Sequence, residues 1–515
     1  MVPFPDMTSK HDSPDVEPAN AAASALTSRQ AFLRVFPGVM VAMFLAAADQ
    51  TILASALPTI AGSLGGLADL SWVVVAYLLT ATIGAPFYGH LGDRFGRRRM
   101  LLVALGIFTA ASLACALAPT LLLLIVARAL QGLGGGGLMT LAQALIGEHV
   151  SPRERGRFSG YFAMVFALAS TSGPIAGAYL TEHLSWRAVF LVNLPLGLLA
   201  ALLALRIPLS PMAPRGRFRP DVVGALLFCV AMLSLLYALT SGGHRLDWNS
   251  PALLALLGVA AVSFVLLVFW ERRVEDPVIP IRFLRVPAIA RSDAVVICFG
   301  AALFSTILYL PLYLQIGRGL RVGQSGLLLL PITLSMVCTS AIVGQLITRT
   351  GRVTIFPQIG LSVAALAFVT LGASITAAST PIVLALTMCV GVGLGMVMPP
   401  TQVTVQLAAG RGALGVATAS IALSRSLGGA LGVAIVGAVL FALIGAVDGT
   451  LARVLREVVE GGPEYIAQLS PQQRGALAAH LDGAYRVVFF ALATIAAAGA
   501  LIACTIPTLQ WSARR

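Results

Sequence analysis

Long apolar stretches alternate with short polar loops along almost the whole chain. About 20 consecutive apolar residues cross a bilayer as a helix. Fourteen runs of roughly that length can be drawn: 36–58, 71–91, 100–118, 121–145, 159–181, 187–207, 222–240, 252–270, 293–316, 325–347, 354–375, 381–400, 421–445 and 485–507. The pattern predicts an all-α polytopic membrane protein, and an even number of crossings puts both termini on one side. Residues 1–35 are polar and lack the apolar core of a cleavable signal peptide. The first run is therefore expected to act as both insertion signal and first retained helix.

Composition agrees with this class. Of 515 residues, 58% are hydrophobic and 11% charged, against about 25% charged in soluble domains. The net charge of +13 is almost wholly arginine, since Lys10 is the only lysine. Such a balance in a soluble chain would suggest nucleic acid. Here the arginines fall in alternate loops: Arg94 and Arg97 to Arg99; Arg153, Arg155 and Arg157; Arg215, Arg217 and Arg219; Arg272, Arg273, Arg282 and Arg285; Arg349 and Arg352; Arg411. The positive-inside rule makes these loops and both tails, 1–35 and 508–515, cytoplasmic. The loop 446–484 is then the longest external one, and Leu451 to Val459 has apolar residues at helical spacing. All six cysteines lie within apolar runs and read as reduced thiols. No Cys/His spacing predicts a metal. Gly134 to Gly137 lacks the Lys-Ser/Thr that would continue a phosphate loop, so no cofactor or nucleotide is expected.

An internal repeat suggests the architecture. Gly89, Leu91, Arg94, Gly96 and Arg97 share the pattern G-x-L-x-x-R-x-G-R with Gly344, Leu346, Arg349, Gly351 and Arg352, 255 residues on. Duplicated halves are a hallmark of transporters. Two six-helix bundles, 36–207 and 292–507, would then flank a linker, 208–291, holding the seventh and eighth helices.

Asp49 lies deep inside the first run. A charged side chain there is unfavourable by at least ~2.5–3.5 kcal/mol and marks ion or substrate pathways, although a helix-end carboxylate facing a polar neighbour is the plainer reading. At 1.5 Å per residue, Asp49 lies about 20 Å above the cytoplasmic start of its helix, and Arg128 about 13 Å below the outer start of its own. The two are at matching depth and can stabilise each other, so protonation of Asp49 would couple to helix position. Gln131 is one turn from Arg128 on the same face; it reads equally well as interhelical glue.

Several of these segments resemble known motifs. Gly89 to Arg99 resembles motif A of the major facilitator superfamily, Arg128-Ala-Leu-Gln131-Gly132-Leu-Gly134 its motif B, and Gly173-Pro174-Ile-Ala-Gly177 its motif C. Asp49-Gln-Thr-Ile-Leu-Ala-Ser-Ala-Leu-Pro58 and Trp186 to Gly197 are similar to signatures of its fourteen-helix drug:proton antiporter branch. The resemblance implies proton coupling through Asp49 and Arg128. It implies a conformational latch at Gly89, Asp93, Arg94, Gly96 and Arg97, for which Arg425 is a candidate partner. It gives Gly173, Pro174 and Gly177 the role of a hinge, with a simple bend as the alternative.

Asp293 reads as a solvated or ion-paired carboxylate near the cytoplasmic face. Tyr77, Tyr309, Tyr313 and Gln315, with Gln131, are candidates for a substrate cavity. The expected function is proton-coupled antiport of amphiphilic or lipophilic small molecules across a bacterial cytoplasmic (inner) membrane by alternating access. The partners are substrate, protons and the bilayer, and no enzyme activity is expected. A dedicated exporter of one metabolite, lipid, siderophore or self-made antibiotic stays open, as do a proton-symport importer and a non-transporting membrane sensor.

Overall fold

The structure, a computed structural model, describes residues 34–64, 72–150, 152–209, 221–242, 246, 248–274, 283, 285–320, 328–375, 379–447, 451, 453–455 and 470–507. Residues 1–33 of the expected N-terminal tail, the C-terminal tail 508–515, the Arg-rich stretch 210–220 and most of Leu451–Val459 lie outside the described residues.

The described chain is helical. Its first half comprises α1 (Phe36–Leu64), α2 (Trp72–Phe95), α3 (Arg97–Leu117), α4 (Leu121–His149), α5 (Pro152–His183), α6 (Ala188–Leu191) and α7 (Asn193–Ala204). Two helices follow, α8 (Val222–Ser241) and α9 (Pro251–Glu271). The second half comprises α10 (Pro287–Ile316), α11 (Leu330–Thr350), α12 (Ile355–Ser374), α13 (Thr380–Gly395), α14 (Met398–Ala409), α15 (Leu414–Val447) and α16 (Pro471–Cys504). Among the described residues, twelve helices are long and apolar enough to cross a membrane, with α13 and α14 together forming one of them. The expected runs 159–181 and 187–207 correspond to α5 and to the pair α6–α7, which are not among the twelve.

Prolines explain the two interruptions. Pro195 has no N–H for the Leu191 carbonyl, and the run 187–207 breaks there into α6 and α7. Pro399 and Pro400 likewise leave the carbonyls of Gly395 and Met396 unpaired, and the chain turns between α13 and α14.

The helices outrun their apolar cores. The run expected at 485–507 starts at Pro471, where Ser470 accepts from the Gln473 amide at 3.2 Å and the Gln473 side chain accepts from the Ser470 amide at 3.1 Å. This capping box, followed by exposed polar turns, begins the helix outside any bilayer. With α15 reaching Val447, the connection expected at 446–484 shrinks to 448–470.

Two large hydrophobic cores form. One joins α1–α7, around Leu45, Phe108, Leu141 and Phe190; the other joins α10–α16, around Tyr309, Phe368, Phe489 and Leu440. A smaller cluster ties α8 and α9, through Phe228 and Leu267, to Ile83 of α2 and Leu423 and Leu427 of α15. The repeated motif places a glycine at positive φ after both α2 and α11: Gly96 has φ 97° and Gly351 has φ 68°, a region other residues rarely enter.

The halves meet at the end carrying these Arg-rich turns. A Cβ on Gly89 of α2 would lie 2.6 Å from the Gly415 carbonyl of α15, and one on Gly160 of α5 would lie 2.7 Å from the Ala341 Cα of α11. Backbones approach this closely only where no side chain intervenes.

Candidate functional site

Asp49, Arg128, Gln131, Ser112 and Asn193, from the four helices α1, α3, α4 and α7, converge on one buried network in the first half. All five are at most 1% exposed. Arg128 donates to Asp49 Oδ2 at 2.6 Å, to Gln131 Oε1 at 2.7 Å and to the Val73 carbonyl of α2 at 3.1 Å. Gln131 Nε2 donates to Asp49 Oδ1 at 2.8 Å and to Ser112 Oγ at 2.7 Å. Asn193 Nδ2 donates to Asp49 Oδ1 at 2.7 Å. The guanidinium lies over the Tyr77 ring, 4.3 Å from its centroid, with Phe190 at 5.9 Å. A buried charge pair persists only when further hydrogen bonds satisfy its remaining lone pairs and protons, and here the carboxylate has three donors.

Local sequence sets this convergence. Gln131 follows Arg128 by three positions on α4, so both side chains share one face. The glycines after them let α4 lie against its neighbours: a Cβ on Gly134 would lie 2.7 Å from the Phe108 amide, and one on Gly137 2.7 Å from the Tyr88 ring. Asn193 sits where Pro195 breaks its run, which turns its amide toward α1. Asn193 falls inside the Trp186–Gly197 signature, and Ser112 inside the third apolar run. An amide and a hydroxyl within apolar runs were the signal for both.

A second assembly joins the halves. The Asp93 carboxylate, in the last turn of α2, accepts from the backbone amides of Gly415 and Val416 at 2.9 and 3.0 Å. These amides open α15, where a helix presents unpaired N–H groups and partial positive charge. Arg97 pairs with Asp93 and, at 2.8 Å, with Glu148 of α4. Arg94 occupies the last turn of α2. Arg425 is not part of this assembly. It lies ten residues beyond Gly415 on α15, about 15 Å along the helix, and the helix terminus takes the place expected for it.

Other candidates fall elsewhere. Tyr77 and Gln131 belong to the Asp49 network. Tyr309 and Tyr313, 2% and 0% exposed, are core residues rather than cavity lining. The Tyr313 ring lies 4.9 Å from Tyr485 of α16, its hydroxyl donates to Asp482 at 2.9 Å, and Tyr309 donates to the Val433 carbonyl at 3.1 Å. Spaced four apart, they share the face of α10 that packs on α15 and α16. Gln315 is buried at 7%. Gly173, Pro174 and Gly177 lie within the unbroken α5, and Gly173 makes room for the Thr51 hydroxyl of α1, which donates to the Ala169 carbonyl at 2.9 Å. Asp293, 5% exposed, accepts from Ser420 of α15 at 3.3 Å and faces Ser424. It is thus buried between hydroxyls, not solvated or ion-paired.

Comparison with known proteins places this arrangement. A family model described as Major Facilitator Superfamily matches residues 39–433. The chain is 33% identical over 454 residues, 88% of its length and 83% of the relative's, to the multidrug transporter protein MdtP of Bacillus subtilis. It is 33% identical over 324 residues, 63% of each chain, to multidrug resistance protein 3 of Bacillus subtilis. It is 36% identical over 338 residues to the efflux pump dotC of Dothistroma septosporum, covering 64% of this chain and 57% of that one. Among solved structures, the human organic anion transporter MFSD10 superposes with a TM-score of 0.62 at 16% identity, over 92% of this chain and 99% of that one. The proton:xylose symporter XylE also gives 0.62, at 14% identity over 93% and 97%. At these identities the two structures speak to the fold.

Proposed function

The chain belongs to the major facilitator superfamily, and we propose that it is a proton-coupled exporter of amphiphilic or lipophilic small molecules. It is a multi-pass membrane protein and a transporter, not an enzyme. Proton antiport, a bacterial cytoplasmic (inner) membrane, cytoplasmic termini, the domain boundaries 36–207, 208–291 and 292–507, and a fourteen-helix count that adds α5 and α6–α7 are part of the proposal. The multidrug transporters and efflux pump among its relatives support the export direction.

One observation carries the reading: the ion pair of Asp49 with Arg128, sealed by Gln131 and Asn193. With Asp49 charged, three donors hold α1, α4 and α7 together. A proton arriving on Asp49 removes the charge that Arg128 faces and converts one acceptor oxygen into a donor. Arg128 keeps Val73 and Gln131, and the grip of α1 on α4 loosens.

α2 links this event to the rest of the molecule. Its Val73 carbonyl binds Arg128, and Asp93, 20 residues on, holds the start of α15. That separation is about 30 Å along one helix. A shift of Arg128 that displaces α2 acts on the contact between the halves, which is the element alternating access has to open.

The test is transport by the full-length protein in liposomes with an imposed pH gradient, using ethidium as a first substrate. Ethidium should move against its gradient, dissipate the pH difference, and stop moving when an uncoupler is added. Ethidium movement that ignores both the pH gradient and the uncoupler would remove proton coupling from the proposal.

A further inference from the structure

Arg425 is left without a role by the latch geometry, and its surroundings point to a ligand. It lies eleven residues beyond Leu414 on the 34-residue α15, about 16 Å along the helix. It is four residues, about 6 Å, inside the apolar run 421–445. A guanidinium inside such a run is found paired, or facing a cavity where it serves transport. Arg425 makes no hydrogen bond or ion pair with any of the described residues. The nearest carboxylate along α10, Asp293, is held by Ser420 and Ser424 instead.

The position faces the interior. On α15, Gly428 and Gly432 abut Ile297 and Ala301 of α10, while Gly415 and Ala419 abut Gly89 of α2. At 100° per residue, position 425 falls on the arc between these two rows. Its side chain is largely but not fully buried. Gly429, one turn further on, lies under Phe304 of α10, whose ring is 38% exposed. A cation and a partly exposed aromatic ring therefore occupy neighbouring turns where α15 packs on α10.

We propose that Arg425 receives the anionic group of an exported amphiphile, with Phe304 beside its apolar body, so that the chain takes substrates bearing a carboxylate or sulfonate. This rests on the transport reading and names its substrate class. A planar guanidinium pairs with such oxyanions through two parallel hydrogen bonds, and the substrate supplies a counter-charge that none of the described residues gives Arg425. A lipid headgroup has the same chemistry, but the interior arc favours a translocated molecule.

The experiment uses the purified full-length protein in detergent and follows fluorescence anisotropy of fluorescein, an anion, and ethidium, a cation. In unmodified protein, benzoate should displace fluorescein while benzyl alcohol at equal concentration does not. Arg425→Gln should weaken fluorescein binding about 10-fold or more, as expected for losing a charge-assisted hydrogen bond, and leave ethidium within about 3-fold; Arg425→Lys should recover part of the loss. Equal displacement by benzoate and benzyl alcohol overturns the proposal, as does an equal loss of both probes in Arg425→Gln. So does failure of fluorescein to bind at all. Displacement of fluorescein by phosphatidylglycerol, with no fluorescein transport in liposomes, assigns the residue to lipid and also overturns it. Ethidium transport coupled to protons, together with any of these results, leaves the exporter reading standing, so the two fail separately.

Discussion

Asp93 caps a helix that begins more than 300 residues later in the chain: its carboxylate takes the Gly415 amide at 2.9 Å, across the boundary between the two hydrophobic cores. The bond uses the free N–H groups and the positive end of α15, and it requires Gly89 and Gly415 to touch. Asp93 is the side chain that bridges this contact, and separating the halves here breaks its bonds to both amides.

Gly89→Val places a branched side chain where a Cβ already lies 2.6 Å from the Gly415 oxygen. The halves should part at this end in a larger fraction of molecules. Spin labels at Tyr161 and Gln345, which face one another across a shared cleft, in a cysteine-free background, should show a longer distance component. An unchanged distance distribution with folded protein argues against a latch at this contact.

Asp49→Asn should abolish movement of substrate against its gradient while leaving downhill exchange. Asparagine keeps the size and one carbonyl oxygen for Gln131 or Asn193 but takes up no proton. Uphill ethidium transport at the unmodified rate in liposomes would sink the coupling role.

Asn193→Ala removes one of three donors to the Asp49 carboxylate, a charge-assisted bond of about 1.5–3 kcal/mol. With one gone, the hold of α7 on α1 weakens, and uphill ethidium transport in liposomes should slow. A rate equal to that of the unmodified protein would show that Asn193 does not act on Asp49.

Arg128→Ala breaks the pair and leaves a carboxylate buried without its cation, a loss of about 3–5 kcal/mol if the charge stays. Uphill export should be lost and the thermal midpoint should fall. Arg128→Lys restores charge but not the fork that reaches Asp49, Gln131 and Val73 together, and should recover only part of the export. Full recovery by lysine would mean that charge alone matters.

Two glycines separate packing from propensity. A Cβ on Gly134 would lie 2.7 Å from the Phe108 amide, whereas one on Gly106 of α3 meets nothing within 4 Å. Gly134→Ala should destabilise by about 1–3 kcal/mol through overpacking. Gly106→Ala should stabilise by about 0.5–1 kcal/mol through helix propensity. Thermal unfolding of the two variants in detergent checks both signs.

Asp49 and Arg128 were legible as candidates because an ionisable residue inside an apolar run is rare, and residue counting placed both at one depth. The duplicated turn was legible too, since the repeat places glycine at Gly96 and Gly351, where positive φ demands it. Lengths and caps were less so: helices continue past the apolar window that reveals them, as α16 does from Ser470.

Hydropathy and spacing alone determined the class of the protein, the approximate place of its helices and the deep charges among them. Tertiary structure alone decided what those charges touch. Ser112 and Asn193 reach the Asp49 network from 81 residues apart in the chain. Tyr309 and Tyr313 turn into the core, and Arg425 stands apart from Asp93. The reason is geometric: apolar periodicity fixes how long a helix is and how deep each residue lies, but every face of a membrane helix is apolar. The rotation that brings one side chain to another is set only when backbones pack, glycine against backbone and proline at a break.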